Sequence, residues 1–218
     1  MQTQPSTSPT RSQLLHAGLR LYPQYGYNGL SVRLLATEAG VSPGMFHHLF
    51  TSKDAFVDEI LQHKYDEAFT QLLVDIQTDK PIPQRLRQVL LRMGTFIRNN
   101  LEWIHRVFAD SADGVAVINH FLKNYATRHI ALLLDLLAAG EATGLVVPAA
   151  PAQRLTYLVS SVIAPMLMSS RLQSSTLLPP LFAQQLPADV LSDRAIAQRI
   201  DWTLSVLFPH PVPSEATP

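Results

Sequence analysis

Residues 31–53 read Ser-Val-Arg-Leu-Leu-Ala-Thr-Glu-Ala-Gly-Val-Ser-Pro-Gly-Met-Phe-His-His-Leu-Phe-Thr-Ser-Lys, and their spacing decides the fold. Val32, Leu35, Ala36 and Ala39 recur at i, i+3, i+4 and i+7, one apolar face of a short helix, with Ser31 placed to cap its first turn. Gly40 then ends the helix, because glycine enters the left-handed region without the steric cost of a Cβ. A second helix starts almost at once. Ser42 is a capping residue type, and Pro43 has a φ already set for a first helical turn. Phe46 and Phe50, four apart with Leu49 beside them, supply the buried face, which leaves Met45, His47 and His48 outside. Two short helices joined by a glycine-containing turn make a helix-turn-helix, whose second helix fits the DNA major groove.

Upstream, Leu14, Gly18, Leu21 and Tyr25 line one face of a helix over about residues 10–25, with Leu15, Leu19 and Tyr22 beside them. Pro23 removes the bond to the carbonyl of residue 19 and loosens the final turn, and Gly26 ends the helix. Downstream, Ser52 caps a fourth helix with Asp54 in its first turn, the favourable end for an acid. Phe56, Ile60, Tyr65, Phe69, Leu72, Leu73 and Ile76 carry that helix far enough to join a head to a body.

Ala36, Gly40 and Phe46 sit at the helix-turn-helix spacing. Together with the run Gly44 to Phe50, the Ser52-Lys53-Asp54 that follows, and Leu21-Tyr22 and Gly26-Tyr27 upstream, they resemble the tetracycline-repressor (TetR) family over roughly residues 11–65. The resemblance implies a homodimeric transcriptional repressor that binds a palindromic double-stranded DNA operator and is released by a small-molecule effector. By the family pattern, Ser31, Arg33 and Lys53 touch phosphates, with help from the amide groups that open helices two and four. Base reading falls to Pro43, Gly44, Met45, His47 and His48, and Ser42 is a further candidate for contact with DNA. Met45 suits a thymine methyl, and a histidine suits a base edge or a phosphate. This sequence departs from the pattern where a lysine is frequent (Pro43), where a hydroxyl residue is usual (Met45) and where a tyrosine is usual (His47).

The remainder reads as packed helices. Pro81-Ile82-Pro83 is a boundary, and beyond it no strand-like alternation persists. Core stripes run through Leu86, Val89, Leu90, Met93, Phe96 and Ile97, then Trp103, Ile104, Val107 and Phe108. A longer helix over about 115–142 follows, with Gly140 and Gly144 at its end. Residues 152–172 are apolar on more than one side, so a second subunit is the economical covering, and Pro165 predicts a kink near Ser161. Gln173 to Pro187, with three prolines, reads as an irregular connection before a last helix at 189–208. By resemblance the two long apolar helices form the dimer bundle, through Leu155, Val159, Val162, Ile163, Ile196, Ile200, Leu204 and Leu207. The expected fold class is all-α. It comprises a tail at 1–9, a head at 10–56 with its motif at 31–50, an effector-binding and dimerisation body at 57–208, and a tail at 209–218.

Composition sets bounds on function. Of the 218 residues 47% are hydrophobic, enough for a sizeable core, and net charge is zero. Residues 1–57 hold Arg11, Arg20, Arg33 and Lys53 against Glu38 and Asp54, a net +2, so the rest carries −2. There is no cysteine, no secretory leader pattern and no apolar run near the ~20 residues a membrane span needs, so a cytoplasmic location is expected. His105, His120 and His129 have no ligand partner at i+3 or i+4, and no phosphate loop, nucleophile elbow or acid pair appears. No metal, cofactor or enzymatic activity is therefore expected. Met93, Phe96, Trp103, His105, Phe108, Phe121, Tyr125, Tyr157 and Met166 are candidates for the lining of a pocket for a small apolar or aromatic effector. The same residue types at helical spacing are ordinarily core. The alternative function is an all-α interaction protein whose head binds a protein partner.

Overall fold

The computed structural model describes residues 8–76, 79–125, 127–173 and 177–209, and the side chains among them except at 68 and 70–76. The terminal segments at 1–7 and 210–218, expected as tails, and the side chains of Leu72, Leu73 and Ile76 lie outside the described residues. Among those described, every regular element is helical. In order these are α1 (Pro9–Gly29), α2 (Val32–Ala39), α3 (Pro43–Leu49), α4 (Lys53–Ile76), α5 (Ile82–Asn99), α6 (Leu101–Ala112), α7 (Ala116–Asn124), α8 (Thr127–Ala142), α9 (Pro151–Val162), α10 (Ala164–Gln173), α11 (Pro180–Leu186) and α12 (Asp193–Leu207). The chain divides into two compact units, 1–67 with 102–127, and 68–101 with 128–218. The sequence leads one to expect the body over 57–208; α6 and α7 instead group with the head.

In the first unit, Leu14, Ala17, Tyr22, Leu35, Phe46, Phe56, Val57 and Ile60 are buried to within 1% of their surface and form one core. The rings of Phe46, Phe50 and Phe56 meet at 4.9–5.2 Å, which ties α3 to the start of α4. α1 begins earlier than the sequence implied, with Ser8 as its cap, and it is interrupted at Gly26. Pro23 leaves the Leu19 carbonyl without its helical partner, and the Trp103 indole N–H on α6 donates to that carbonyl at 3.0 Å. Trp103 also packs on Tyr22 with ring centroids 4.6 Å apart. Tyr25, expected on the buried face, is instead exposed, because the chain has already begun to leave the helix.

The second unit is built on Leu86, Val89, Leu90, Leu133, Leu136, Leu137, Leu158, Val162, Met166, Ile196 and Ile200. α12 packs on α5 and α9. Its rim is fixed by the Arg87–Asp201 pair (2.6 Å) and the Arg98–Asp193 pair (2.5 Å), which order α5 and α12 antiparallel.

Three features differ from the sequence reading. The helix expected over 115–142 is two, α7 and α8, because an apolar repeat that stays in phase does not register a short break. The span 152–172 is also two helices, meeting at Ile163 just before Pro165. The segment Pro151–Gln173 is long and apolar, but Leu158, Val162 and Met166 on it belong to the core. The third is the stretch 173–187, read as irregular, which contains α11 and leads into a π-helical turn at Pro187–Leu191. A proline inside the first turn costs no hydrogen bond, so these prolines start helices.

The proposed interface positions need correction. Val162, Ile196, Ile200, Leu204 and Leu207 are buried inside their own subunit, so they have no surface left for a second one. Leu155, Val159 and Ile163 are half-buried against the same core. Tyr157, Met168, Trp202 and Val206 are the large apolar side chains that α9, α10 and α12 leave exposed.

Two groups in this unit are in tension with their surroundings. The Nε and Nη2 atoms of Arg199 are buried with no hydrogen-bond partner, and burial pushes the guanidinium pKa down. Because N–H groups buried without a partner are costly, Arg199→Met is expected to leave the melting temperature unchanged or raise it. A fall of several degrees in calorimetry would refute the orphan assignment. Burial likewise pushes the His129 pKa below 6.5. The folded state therefore binds its proton less readily than the unfolded chain. The stability that depends on neutral His129 is complete above pH 6.5 and is lost as pH falls through the folded-state value. Urea unfolding between pH 7.5 and 5.5 should show this decline, and His129→Gln should flatten it.

Candidate nucleic-acid interface

The motif is assembled from local rules. Ser31 Oγ accepts the Leu34 amide at 3.2 Å and opens α2. Gly40 closes it at φ 68°, and the Val41 amide returns to the Ala36 carbonyl at 2.9 Å. α3 starts at Pro43 as expected, but the Ser42 side chain makes no cap hydrogen bond. The Met45 amide, which a cap side chain would satisfy, donates instead to the Ser42 carbonyl at 3.0 Å, and the exposed hydroxyl stays available to a ligand. Phe46 turns inward, while Pro43, Gly44, His47 and His48 are exposed and Met45 is half-exposed. Pointing Phe46 and Phe50 into the core gives α3 one outward face, which carries the residues predicted to read bases.

The predicted phosphate contacts flank this face. Arg33 is exposed on α2. Ser52 Oγ caps α4 by accepting the Ala55 amide at 3.0 Å, which sets Lys53 and Asp54 in its first turn. The Lys53 ammonium lies over the Tyr27 ring, 4.2 Å from its centroid, and the Tyr27 hydroxyl donates to the Asp54 carboxylate. That bond raises the Tyr27 pKa, and partial burial lowers that of Lys53. Sequence reasoning had missed Tyr27 as part of the site. Its signal was present in Gly26-Tyr27, read only as a helix end.

The other two basic residues of the head are already engaged. Arg11 forms a bidentate pair with Glu59 and lies over the Phe50 ring, 4.8 Å from its centroid. Arg20 pairs with Glu38 at 2.8 Å. Of the four cations of residues 1–57, Arg33 and Lys53 are therefore the two outside these pairs.

The candidate effector residues are divided. Trp103, His105, Phe108, Phe121 and Tyr125 fall in the first unit, and Met93, Phe96, Tyr157 and Met166 in the second. Trp103 is committed to Tyr22 and Leu19, and Phe121 stacks on Tyr125 at 5.5 Å and meets Tyr65 at 6.0 Å. Phe108 and Tyr157 are exposed, whereas Met93 and Met166 share the core of the second unit. Among the described residues no group of three His, Cys, Asp or Glu is placed to hold a metal ion.

Comparison with known proteins bears on the same segment. Residues 14–60 match the family described as bacterial regulatory proteins, tetR family. An uncharacterised HTH-type transcriptional regulator of Bacillus subtilis, YuxN, is 36% identical over 69 residues, 31% of this chain and 24% of that protein. The chain thus spans about a quarter of that relative's length. Among solved structures, a Clostridium perfringens chain titled "putative fatty acid metabolism regulator" superposes with a TM-score of 0.70. It covers 89% of this chain and 96% of its own, at 14% identity. The transcriptional regulator FadR of Bacillus subtilis, solved in complex with stearoyl-CoA, gives 0.58 over 84% of this chain and 98% of its own, at 16% identity. The fold is shared with these two solved chains over 84–89% of this chain.

The placement of the two contact types yields a split. Lys53→Ala should weaken binding to all duplexes alike and lower the salt slope by about one counterion, whereas His47→Ala should change preference among sequences. Unaltered binding in both variants, read by fluorescence anisotropy over a salt series, would remove these residues from the interface.

Proposed function

We propose that this protein is a DNA-binding transcriptional repressor of the TetR family acting in the cytoplasm, a reading supported by the match of residues 14–60 to the tetR family of bacterial regulatory proteins. It holds a palindromic operator as a homodimer and releases it on binding a small apolar effector. The observation that carries this reading is the outward face of α3. Pro43, Gly44, His47 and His48 stand exposed there, with Arg33 and Lys53 at its flanks. Recognition helices of this motif place their first residues against base edges while flanking cations and helix starts hold phosphates. Dimerisation is assigned to α9, α10 and α12, where Tyr157, Met168, Trp202 and Val206 stand exposed, since exposed apolar side chains on neighbouring helices are covered most simply by their own symmetry mate. The Bacillus subtilis FadR chain was solved with stearoyl-CoA, so this fold accommodates an effector with a large apolar part.

A second reading, in which the head binds a protein, draws on the pairing of Arg11 and Arg20, which leaves few cations for phosphates. One experiment separates the two. Selection of duplexes from a random pool by the full chain should enrich a site with two inverted halves. Their centres should lie about one helical turn of DNA, or a multiple of it, apart. A pool that shows no enrichment, and no retention even at low salt, would favour the protein partner. For the switch, a compound that weakens operator binding by some factor must itself be weakened by operator through the same factor. Equal affinities with and without saturating operator in calorimetry would mean no coupling.

A further inference from the structure

A chain of contacts runs from the buried side of α6 to the start of α4. Pro23 and Gly26 break the end of α1, and Gly26 adopts φ 64°, a left-handed conformation that side chains disfavour. The backbone there comes so close to α6 that a Cβ on Gly26 would lie 2.7 Å from Arg106 Cδ and 2.9 Å from Asp110 Oδ1. α6 satisfies the groups this break leaves open. Arg106 donates to the carbonyls of Pro23 and Gln24, both at 3.3 Å, and the Asp110 carboxylate accepts the Tyr27 amide at 2.8 Å. Asp110 is only 3% exposed, an unusual place for a carboxylate. Beside it the Tyr22 hydroxyl is buried without a partner at hydrogen-bonding geometry, and burial, then Asp110, push its pKa up. The residue whose amide Asp110 holds is the one whose ring lies under Lys53 and whose hydroxyl holds Asp54. The Asp110 charge is felt at Lys53, where it opposes the lowering caused by burial.

We infer that Asp110 is a positioning residue for DNA binding: by fixing the Tyr27 backbone it sets the ring on which the Lys53 ammonium rests, and so aims that ammonium at the phosphate. This rests on the proposed DNA-binding function for its consequence, but not for its geometry. Asp110 touches no nucleic acid in this scheme. It acts 83 residues along the chain from the amide it holds, so α6, outside the motif, becomes part of the apparatus that presents the motif's cation.

The test uses the full chain with two readouts. The first is binding to a duplex of about 30 base pairs of arbitrary sequence over a salt series, where the slope counts phosphates neutralised. The second needs no DNA: the NMR shift of the Lys53 ε-methylene, displaced by the Tyr27 ring current. Asp110→Ala is expected to abolish that displacement, weaken binding about tenfold and lower the salt slope by about one. Lys53→Ala should give the same loss, and the double variant should lose no more than either single one. Asp110→Asn keeps an acceptor oxygen and should stay within about twofold of the parent protein in both readouts. If Asp110→Ala does not fold, Asp110→Ser replaces it with the same expectation. A folded Asp110→Ala or Asp110→Ser protein that retains the ring-current displacement overturns the inference, and so do losses that add in the double variant. A parent protein that binds no duplex would defeat the DNA-binding reading, while the ring-current result would still decide whether Asp110 positions Lys53.

Discussion

The carbonyl of Leu19, left without its helical partner by Pro23 and completed by the Trp103 indole, is the joint on which the head depends. A buried carbonyl without a partner costs about as much as a lost hydrogen bond, so a proline at this depth requires an outside donor. Once Trp103 is the donor, α6 must lie along the end of α1. The rest of the grip on Pro23, Gln24 and Tyr27 then follows from the same approach. The glycine at 26 allows that approach. In this arrangement Pro23 fixes where a second helix attaches, and α6 and α7 belong to the head because of it.

The parts of this fold legible in the sequence were those decided by neighbours a few residues apart. The caps at Ser31 and Ser52, the left-handed Gly40 and the inward Phe46–Phe50 pair follow from helical period and capping chemistry, and all are present. The attachment of α6 was not legible, because Trp103 and Leu19 are 84 positions apart and nothing in either local pattern refers to the other. Prolines misled in one consistent way. Pro83, Pro180 and Pro187 read as boundaries or breakers, yet each lies in the first turn of a helical element, where its missing N–H is no loss.

Periodicity also sorts a helix into faces without saying what covers each. On α12 it marked Ile196, Ile200, Leu204 and Leu207 correctly as apolar and buried, and these were assigned to a second subunit. The structure shows that α5 and α9 cover them within one chain. The opposite side of α12, with Trp202 and Val206, was passed over because it breaks the stripe, and it is the side left uncovered. For an interface the informative residues are the large apolar ones that interrupt the pattern, since a core stripe is explained by the subunit's own packing.

The charge arrangement of the head links these points to the proposed mechanism. With Arg11 held by Glu59 and Arg20 by Glu38, the cations left beside α3 are Arg33 and Lys53. A head with so few phosphate contacts has a shallow electrostatic contribution to binding, because each neutralised phosphate adds one step of counterion release. Under the proposed function, two such heads in one dimer would engage DNA far better than either alone. After the first half-site binds, the second is presented at a local concentration set by the rigidity of the connection. The weaker the single head, the more operator binding depends on the geometry that the body imposes on the pair. A repressor released by a small molecule, as proposed, would gain from this dependence, because loss of the second half-site contact would remove most of the affinity.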